Sequence, residues 1–467
     1  MSKKEKKNSQ NTIYPEGVEI ELATRKNRIR CSGSNILPKE NFDKLPFIKN
    51  ECDHTAYALD DTTIHIPGPV YHINSKKNQN NVVQCVVYFM DKSYIKMNLV
   101  DGENMNAGDL FEESINRKGL PLFMARQLFS LWIVSDYLEL QLKPNHIPFK
   151  YCSYWEELLE LYSDASDTEI ERDEPILMIQ RNIYFPKEKE ENIEDINLNR
   201  LLYYESFENI IDARYPISIE ECDNMCGLSL LINNKVYDQN ITNDNYKKLV
   251  PKYFPFHRAK PALNPCSTDK PHFHLKEAYC LAYRHWGNLD STLKMNEAYI
   301  SFLNECRKLP FYGAAYFRGQ IEHPKMGLSA FQDDPVYIAI NPLGLFIIDM
   351  DDVKFLIGIP LKKLHWQLGL PNSTDKDCFP SLFITFTINE KTKSKNKQLI
   401  NVKRKKILQI FSKEAQLCDA LINSCILLRE KMHDFIEFKE IIKGKPKDWS
   451  NFVKNALKNV KQKLPLK

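Results

Sequence analysis

Two apolar segments in the middle of the chain, residues 198–211 and 218–232, most constrain how it folds. In the first segment, apolar side chains recur at three- and four-residue steps on two overlapping faces, which predicts a helix buried on most sides. We expect Tyr215-Pro216 to end this helix, because proline disfavours helical geometry in the residue before it. Ser218 and Glu221 have the spacing of a capping box, which predicts the start of a second helix. Two short helices of this kind need packing partners on every side.

Length and composition limit the class of protein. The 467 residues suffice for three domains, at roughly 150 residues for each. A net charge of +3 gives no overall field that attracts nucleic acid, so we expect no nucleic-acid partner. The twelve cysteines form no C-x-x-C pair and many lie in apolar runs, which predicts reduced thiols and an intracellular protein. No run approaches the ~18 apolar residues of a membrane span.

Hydrophobic patterning divides the chain into five regions. Residues 1–80 mix Lys, Asn, Pro and Asp and are predicted to be a mostly disordered leader. Residues 81–186 predict a hairpin, a helix, two strands, a helical turn and a last strand, the order of a ubiquitin-like β-grasp. Residues 187–307 predict a helical block. Residues 308–430 predict seven short strands and a closing helix, as in pleckstrin-homology or phosphotyrosine-binding sandwiches. Residues 431–467 form a basic tail.

Several long strings resemble the FERM family. LLYYESFENIIDARYPISIEEC followed by GLSLLI is similar to the central helical lobe of that family, and LPFYGAAYF at 309–317 resembles the entry into its third lobe. The resemblance covers roughly residues 82–430. It implies an α+β multidomain fold of three lobes, namely a ubiquitin-like β-grasp, an acyl-CoA-binding-protein-like helical bundle, and a PH/PTB-like β-sandwich with a C-terminal helix. After the second helix of the middle lobe, NNKVYD replaces the Gly-Asp-Tyr-like turn of many members.

The sequence carries no recognisable catalytic constellation. It lacks a His-Cys-x5-Arg loop, a glycine-rich phosphate loop followed by Lys-Ser/Thr, and His-Arg-Asp with Asp-Phe-Gly. Four histidines lie close together in sequence, at His257, His272, His274 and His285. No Cys or carboxylate completes a metal site with them, so we interpret this region as a solvated loop, and we interpret Cys222 and Cys226 as buried packing. We therefore expect a binding protein without catalytic activity and without a cofactor.

The first candidate site is a cleft between the predicted strand at residues 364–368 and the closing helix at residues 413–428. In PTB-like modules, an extended peptide adds to this strand by main-chain hydrogen bonds, while its side chains enter pockets against the helix. We expect the peptide-binding cleft to be lined by Leu364, Trp366, Ala420 and Ser424. The competing interpretation is that Trp366 simply belongs to the core of the sandwich.

The second candidate is a basic hairpin between the last two strands. Its cationic residues are Lys391, Lys393, Lys395, Lys397, Lys403, Arg404, Lys405 and Lys406. Such a loop can attract anionic phospholipid, at about 1 kcal/mol for each residue near the membrane. The alternative is a solvated loop that keeps the sheet edge soluble.

The third candidate is the segment after Pro446, whose apolar stripe is flanked by lysines. The stripe contains Trp449, Phe452, Val453, Ala456, Leu457 and Val460. This pattern predicts a basic amphipathic helix, which could lie on a bilayer, fill a calmodulin groove or fold back onto its own domain.

The family resemblance also implies partners and a location. Within the family, the similar strings include LWIVSDYLELQLKPNHIPFK and point to a branch that binds the cytoplasmic N-terminal region of iRhom pseudoproteases. The implied role is to stabilise the complex of iRhom with the TNF-converting metalloprotease sheddase at the cell surface. A lipoprotein-receptor-related Wnt co-receptor tail is a second implied partner. The implied location is the cytoplasm and the inner face of the plasma membrane. The alternative is an ezrin-type membrane–cytoskeleton linker.

Overall fold

The computed structural model describes residues 56–58, 72–73, 82–260, 269–321, 334–371, 379–393 and 399–431. The amphipathic segment predicted after Pro446 lies outside these residues. Within the predicted leader, strands β1 (Ala56–Ala58) and β2 (His72–Ile73) pair with the first sheet, so these residues differ from the prediction of disorder. No helix in the described part of the chain has the length and apolar character needed to cross a membrane.

The first lobe is a mixed sheet with helices on it. Its elements are β3 (Val82–Phe89), β4 (Ser93–Val100), α1 (Ala107–Lys118), α2 (Leu122–Leu128), β5 (Phe129–Val134), β6 (Glu139–Gln141), α3 (Pro148–Ser153), α4 (Trp155–Tyr162), α5 (Asp167–Ile170) and β7 (Ile176–Arg181). The strand order is β1-β4-β3-β7-β5-β6, and β2 also pairs with β3. Strands β3 and β7 run parallel in the middle of the sheet, while the other pairs are antiparallel. This is the predicted β-grasp order.

The second lobe consists of helices. They are α6 (Lys187–Glu190), α7 (Ile196–Ile211), α8 (Ile219–Asn234), α9 (Asn243–Tyr253), α10 (Phe256–Ala259), α11 (Pro271–Trp286) and α12 (Thr292–Arg307). Helix α7 is buried on most sides, as predicted. The predicted capping box is confirmed, because the Ser218 N–H donates to Glu221 Oε2 at 3.1 Å and the Glu221 N–H donates to Ser218 Oγ at 3.2 Å.

Two sequence predictions in this lobe are wrong. Helix α7 ends at Ile211, before Tyr215-Pro216, because Ala213 adopts φ +56, which helical geometry does not allow. His272 and His274 lie in the first turn of α11 and not in a solvated loop, because Pro271 starts that helix with the fixed φ that favours the first helical position. The His272 side chain is buried. Among the described residues, no group of three His, Cys, Asp or Glu could hold a metal ion.

The third lobe is a seven-stranded antiparallel sheet closed by a helix. Its elements are β8 (Ala315–Ile321), β9 (Asp334–Asn341), β10 (Gly344–Asp349), β11 (Lys354–Pro360), β12 (His365–Gly369), β13 (Ser381–Lys393), β14 (Leu399–Phe411) and α13 (Ala415–Lys431). The strand order is β11-β10-β9-β8-β14-β13-β12. The predicted seven strands and closing helix are confirmed. Strands β11 and β12 form the two edges of this sheet.

A buried ion cluster joins the three lobes. The Glu190 carboxylate, on α6, accepts hydrogen bonds from Arg181 Nε at 2.6 Å, Arg307 Nε at 3.2 Å and the Tyr312 hydroxyl at 2.7 Å. Arg181 ends β7 of the first lobe, Arg307 ends α12 of the second, and Tyr312 precedes β8 of the third. Burial lowers the pKa of Arg181, but the charge and hydrogen bond of Glu190, together with Tyr312 and Glu205, outweigh burial and raise the pKa above its ordinary value. The guanidinium therefore stays charged. The cluster meets the requirement that buried charges be paired.

Candidate functional site

The predicted cleft lies at an open edge of the third lobe. Strand β12 pairs with β13, with Trp366 opposite Ile384 and Leu368 opposite Leu382. No strand in the described part of the chain pairs with the other edge of β12. Helix α13 contacts β12 through the Trp366–Asp419 pair, so these two elements are the ones between which the predicted peptide-binding groove would lie. An unpaired strand edge next to a helix is the arrangement to which an extended peptide adds as a further strand.

Trp366 links strand β12 to helix α13. Its half-buried ring packs against the core, and its Nε1–H donates a hydrogen bond to Asp419 Oδ1 on α13 at 2.7 Å. Trp366 therefore packs on the core, as the competing interpretation expects, and also contacts α13, while its part in peptide binding stays a prediction. Leu364 precedes β12 and is only 5% exposed. Its side chain thus belongs mainly to the core of the sandwich.

The other two predicted cleft residues lie on α13 and have small side chains. Ala420 and Ser424 lie one helical turn apart on α13 and are both half-buried. Leu427 continues this stripe and is 56% exposed, which is high for an apolar side chain. Leu427 therefore offers an exposed apolar contact on the same stripe of α13 as Ala420 and Ser424. Sequence reasoning missed Leu427, although its three-residue spacing from Ser424 places it on the same face.

The buried side of α13 has no available reactive group. Leu417, Cys418, Leu421 and Cys425 face the sandwich core. Burial raises the pKa of the Cys418 thiol well above its ordinary value, so the thiol remains protonated and unreactive.

The basic hairpin extends beyond the rest of the sheet. Strands β13 and β14 pair from Ser381 opposite Phe411 to Lys393 opposite Leu399. Strand β12 pairs with β13 only up to Thr385, and β8 pairs with β14 only at the last two residues of β14. In the described part of the chain, the remaining length is a two-stranded ribbon. We call residues 386–393 and 399–409 the basic ribbon.

The structure places most of the predicted cationic residues on this ribbon. The backbone positions of Lys391, Lys393, Lys403 and Arg404 lie on its two strands, whereas Lys395 and Lys397 lie outside the described residues. Lys405 and Lys406 are exposed at its base, and Ile407 beside them is 71% exposed. Lys406 pairs with Phe386 on β13. Phe386 lies two residues after Ile384, which pairs with Trp366. The groove and the ribbon are therefore neighbouring parts of one surface.

The three lobes, in the order β-grasp, helical bundle and helix-closed sandwich, define a protein with a FERM fold. The sequence profile of the KRIT1/FRMD8 FERM domain C-lobe matches residues 334–421, and that of the FERM central domain matches residues 188–317. The chain belongs to the FERM family.

Curated relatives agree with this assignment. FERM domain-containing protein 8 of Xenopus tropicalis is 30% identical over 367 residues, which cover 76% of this chain and 78% of that protein. The human protein of the same name is 30% identical over 356 residues, which cover 74% of each chain. Among solved structures, the C-terminal MyTH4-FERM domain of human myosin 7b aligns with a TM-score of 0.49 and 16% identity, covering 74% of this chain and 60% of that one.

Proposed function

We propose that this protein is a non-enzymatic adaptor that binds cytoplasmic segments of membrane proteins in the groove between β12 and α13. The observation that carries the proposal is the edge of β12 that no described strand pairs with, in contact with α13 through Trp366 and Asp419. A free strand edge supplies main-chain hydrogen bonds to any extended peptide, and the adjacent wall supplies selectivity for its side chains.

The groove favours one class of peptide. A strand added to β12 directs alternate side chains towards α13. In this proposal those side chains contact the stripe of α13 that contains Ala420, Ser424 and the exposed Leu427. We therefore expect an extended segment with an apolar residue at that position.

The partners that we propose are the cytoplasmic N-terminal region of iRhom pseudoproteases and a lipoprotein-receptor-related Wnt co-receptor tail. Similarity to FERM domain-containing protein 8 supports this choice. A protein that binds only the intact form of a partner stabilises that form by mass action. By this route the adaptor would keep the complex of iRhom and the TNF-converting metalloprotease sheddase at the cell surface.

We further propose that the basic ribbon holds the protein at the inner face of the plasma membrane. Lys405 and Lys406 are exposed at its base, next to the exposed Ile407. Each cation near an anionic leaflet contributes about 1 kcal/mol. Because the ribbon adjoins the groove through β13, the same attraction would bring the groove close to membrane-proximal tails.

A binding measurement with matched variants tests the groove. Isothermal titration of the full-length protein with the iRhom cytoplasmic N-terminal region measures the dissociation constant. Ser424→Arg puts a large charged side chain on the proposed helical wall of the groove, where it would block the peptide, and should weaken binding at least tenfold. Asn423→Arg adds the same side chain to an exposed position on the same helix and should leave the affinity unchanged. Equal affinities for both variants and the parent, with unchanged melting temperatures, would refute the groove assignment.

Vesicle flotation tests the ribbon. The double variant Lys405→Glu/Lys406→Glu should lose most binding to vesicles that contain phosphatidylserine, and added salt should weaken binding of the parent protein. Lys276→Glu changes an exposed charge on α11 of the second lobe and serves as the control. If the double variant floats as well as the control, the ribbon is not the lipid contact.

A further inference from the structure

An acidic segment of the first lobe, residues 163–174 between α4 and β7, contains an accessible serine. Ser166 is exposed, whereas Ser163 is fully buried. Asp167 follows Ser166 directly, and Glu169 lies three residues after Ser166. Arg172 is the single basic residue of the segment. The segment therefore presents one accessible serine in a strongly negative sequence.

The local structure around Ser166 is small and held by few contacts. The Ser166 N–H and Oγ–H donate to Glu169 Oε2 at 3.0 and 2.9 Å, and they cap the four-residue helix α5. Ile170 is the one buried residue of that helix. Segments with so few buried apolar contacts open locally at low free-energy cost. Ser166 can therefore extend into the active site of another enzyme without unfolding the lobe.

We propose that Ser166 is a phosphorylation site for an acidophilic serine/threonine kinase. Kinases select substrates by complementary charge, and a basic substrate groove matches carboxylates at Asp167 and Glu169. In the reaction, Ser166 Oγ forms a bond to the γ-phosphorus of ATP and the bond to the bridging oxygen of ADP breaks. The hydroxyl proton passes to the catalytic base of the kinase.

The phosphate would change the first lobe at a defined point. It adds about −1.5 to −2 charge to an oxygen that now lies 2.9 Å from the Glu169 carboxylate. Repulsion between the two anions removes the cap of α5. The same segment contacts the third lobe, because Lys413 Nζ donates to the Ser163 carbonyl oxygen at 2.8 Å. Lys413 precedes α13, the helical wall of the groove, so the modification occurs beside a contact between the first and third lobes.

Phosphorylation of the intact protein tests the proposal. The full-length chain is incubated with ATP and a casein-kinase-2-type kinase, and sites are mapped by tandem mass spectrometry. We expect phosphate on Ser166, its loss in Ser166→Ala and its retention in Thr168→Ala. Glu169→Gln keeps a hydrogen-bond acceptor for the cap but removes the charge, and should lower the rate at Ser166 at least tenfold. Glu174→Gln removes an exposed carboxylate eight residues away and is the matched control.

Hydrogen exchange provides a second measurement on the same samples. Phosphorylated protein should exchange the amides of residues 168–171 at least tenfold faster than unmodified protein, with the strands of the third lobe unchanged. Absence of phosphate on Ser166 in the parent protein would overturn the proposal, as would equal rates at Ser166 in Glu169→Gln and Glu174→Gln. Unchanged exchange at α5 in the phosphorylated protein would overturn the structural consequence.

Discussion

Arg181 and Gly313 meet where the first lobe contacts the third: Arg181 Nη1 lies 3.4 Å from the Gly313 carbonyl oxygen. Gly313 adopts φ +65, and a Cβ at this position would overlap the Arg181 guanidinium. A left-handed conformation costs other residues about 1–2 kcal/mol, and the overlap would displace a group that also binds Glu190. We expect Gly313→Ala to lower the free energy of unfolding by more than about 2 kcal/mol, measured by denaturant titration.

Gly119 supplies the control for this prediction. It adopts φ +72 at the end of α1, but a Cβ there would meet no atom within 4 Å. Gly119→Ala should therefore cost only the backbone term of about 1 kcal/mol. Equal losses for the two variants would show that the contact with Arg181 contributes nothing.

Gly227 is the point of closest approach between α8 and α11. A Cβ at this position would overlap the backbone of Ala278. Helix propensity alone favours alanine over glycine by about 1 kcal/mol, so a stabilised Gly227→Ala protein would contradict the packing. We expect the opposite, a loss of about 2 kcal/mol or more as the two helices separate. Thermal unfolding measures the difference, with Leu281→Ala on the exposed side of α11 as the control.

The hydrogen bond from Trp366 to Asp419 should couple the two walls of the groove. A hydrogen bond to a charged acceptor contributes about 1.5–3 kcal/mol, although partial exposure reduces this value. A double-mutant cycle with Trp366→Phe and Asp419→Ala should give a coupling energy of about 1 kcal/mol in unfolding. A coupling energy of zero would mean that the bond observed at 2.7 Å does not hold the helix to the strand.

Asp173 predicts a pH dependence of stability in the first lobe. Burial raises the pKa of Asp173 above its ordinary value of 3.8, and hydrogen bonds from Ser135 and Trp155 only partly offset this. The folded chain thus holds the proton more tightly than the unfolded chain does. The stabilising contribution is complete below pH 3.8 and is lost as the pH rises through the folded pKa.

Asp173→Asn removes this titration and keeps an acceptor for Trp155. The melting temperature of the parent protein minus that of the variant should be largest near about pH 3 and should decrease towards neutral pH. Glu174→Gln, which removes the neighbouring exposed carboxylate, is the control. A difference that grows with pH would contradict the predicted sign.

Local pattern predicted the sandwich well, because alternation and turn residues are visible over a few positions. The seven strands from β8 to β14 and the cap at Ser218 follow from such short-range signals. The end of α7 could not be predicted in this way. The turn at Ala213 leads into Arg214, which contacts Glu139 of the first lobe and Tyr316 of the third. The start of α11 was missed because the histidines after Pro271 were considered as ligands and not as helix residues.

The candidate site was predictable only in part, and its assignment stays a prediction. Strand and helix patterns predicted that Trp366 lies on an edge strand and that Ala420 and Ser424 lie on the closing helix. The bond from Trp366 to Asp419 joins residues 53 positions apart, and periodicity carries no information about such pairs. The Glu190 cluster could not be predicted for the same reason, because Arg307 lies 117 residues from Glu190 in the sequence.

The Glu190 cluster also decides how this protein can be handled in the laboratory. A single carboxylate forms ion pairs with guanidinium groups at the ends of two lobes and accepts a hydrogen bond from the hydroxyl of a tyrosine that precedes the third. A fragment that ends near residue 186 keeps Arg181 without its partner Glu190. One that ends near residue 307 exposes the apolar side chains that pack against the third lobe. Recombinant pieces that end near residue 186 or 307 should therefore aggregate, and insertions that spread the lobes apart should be poorly tolerated.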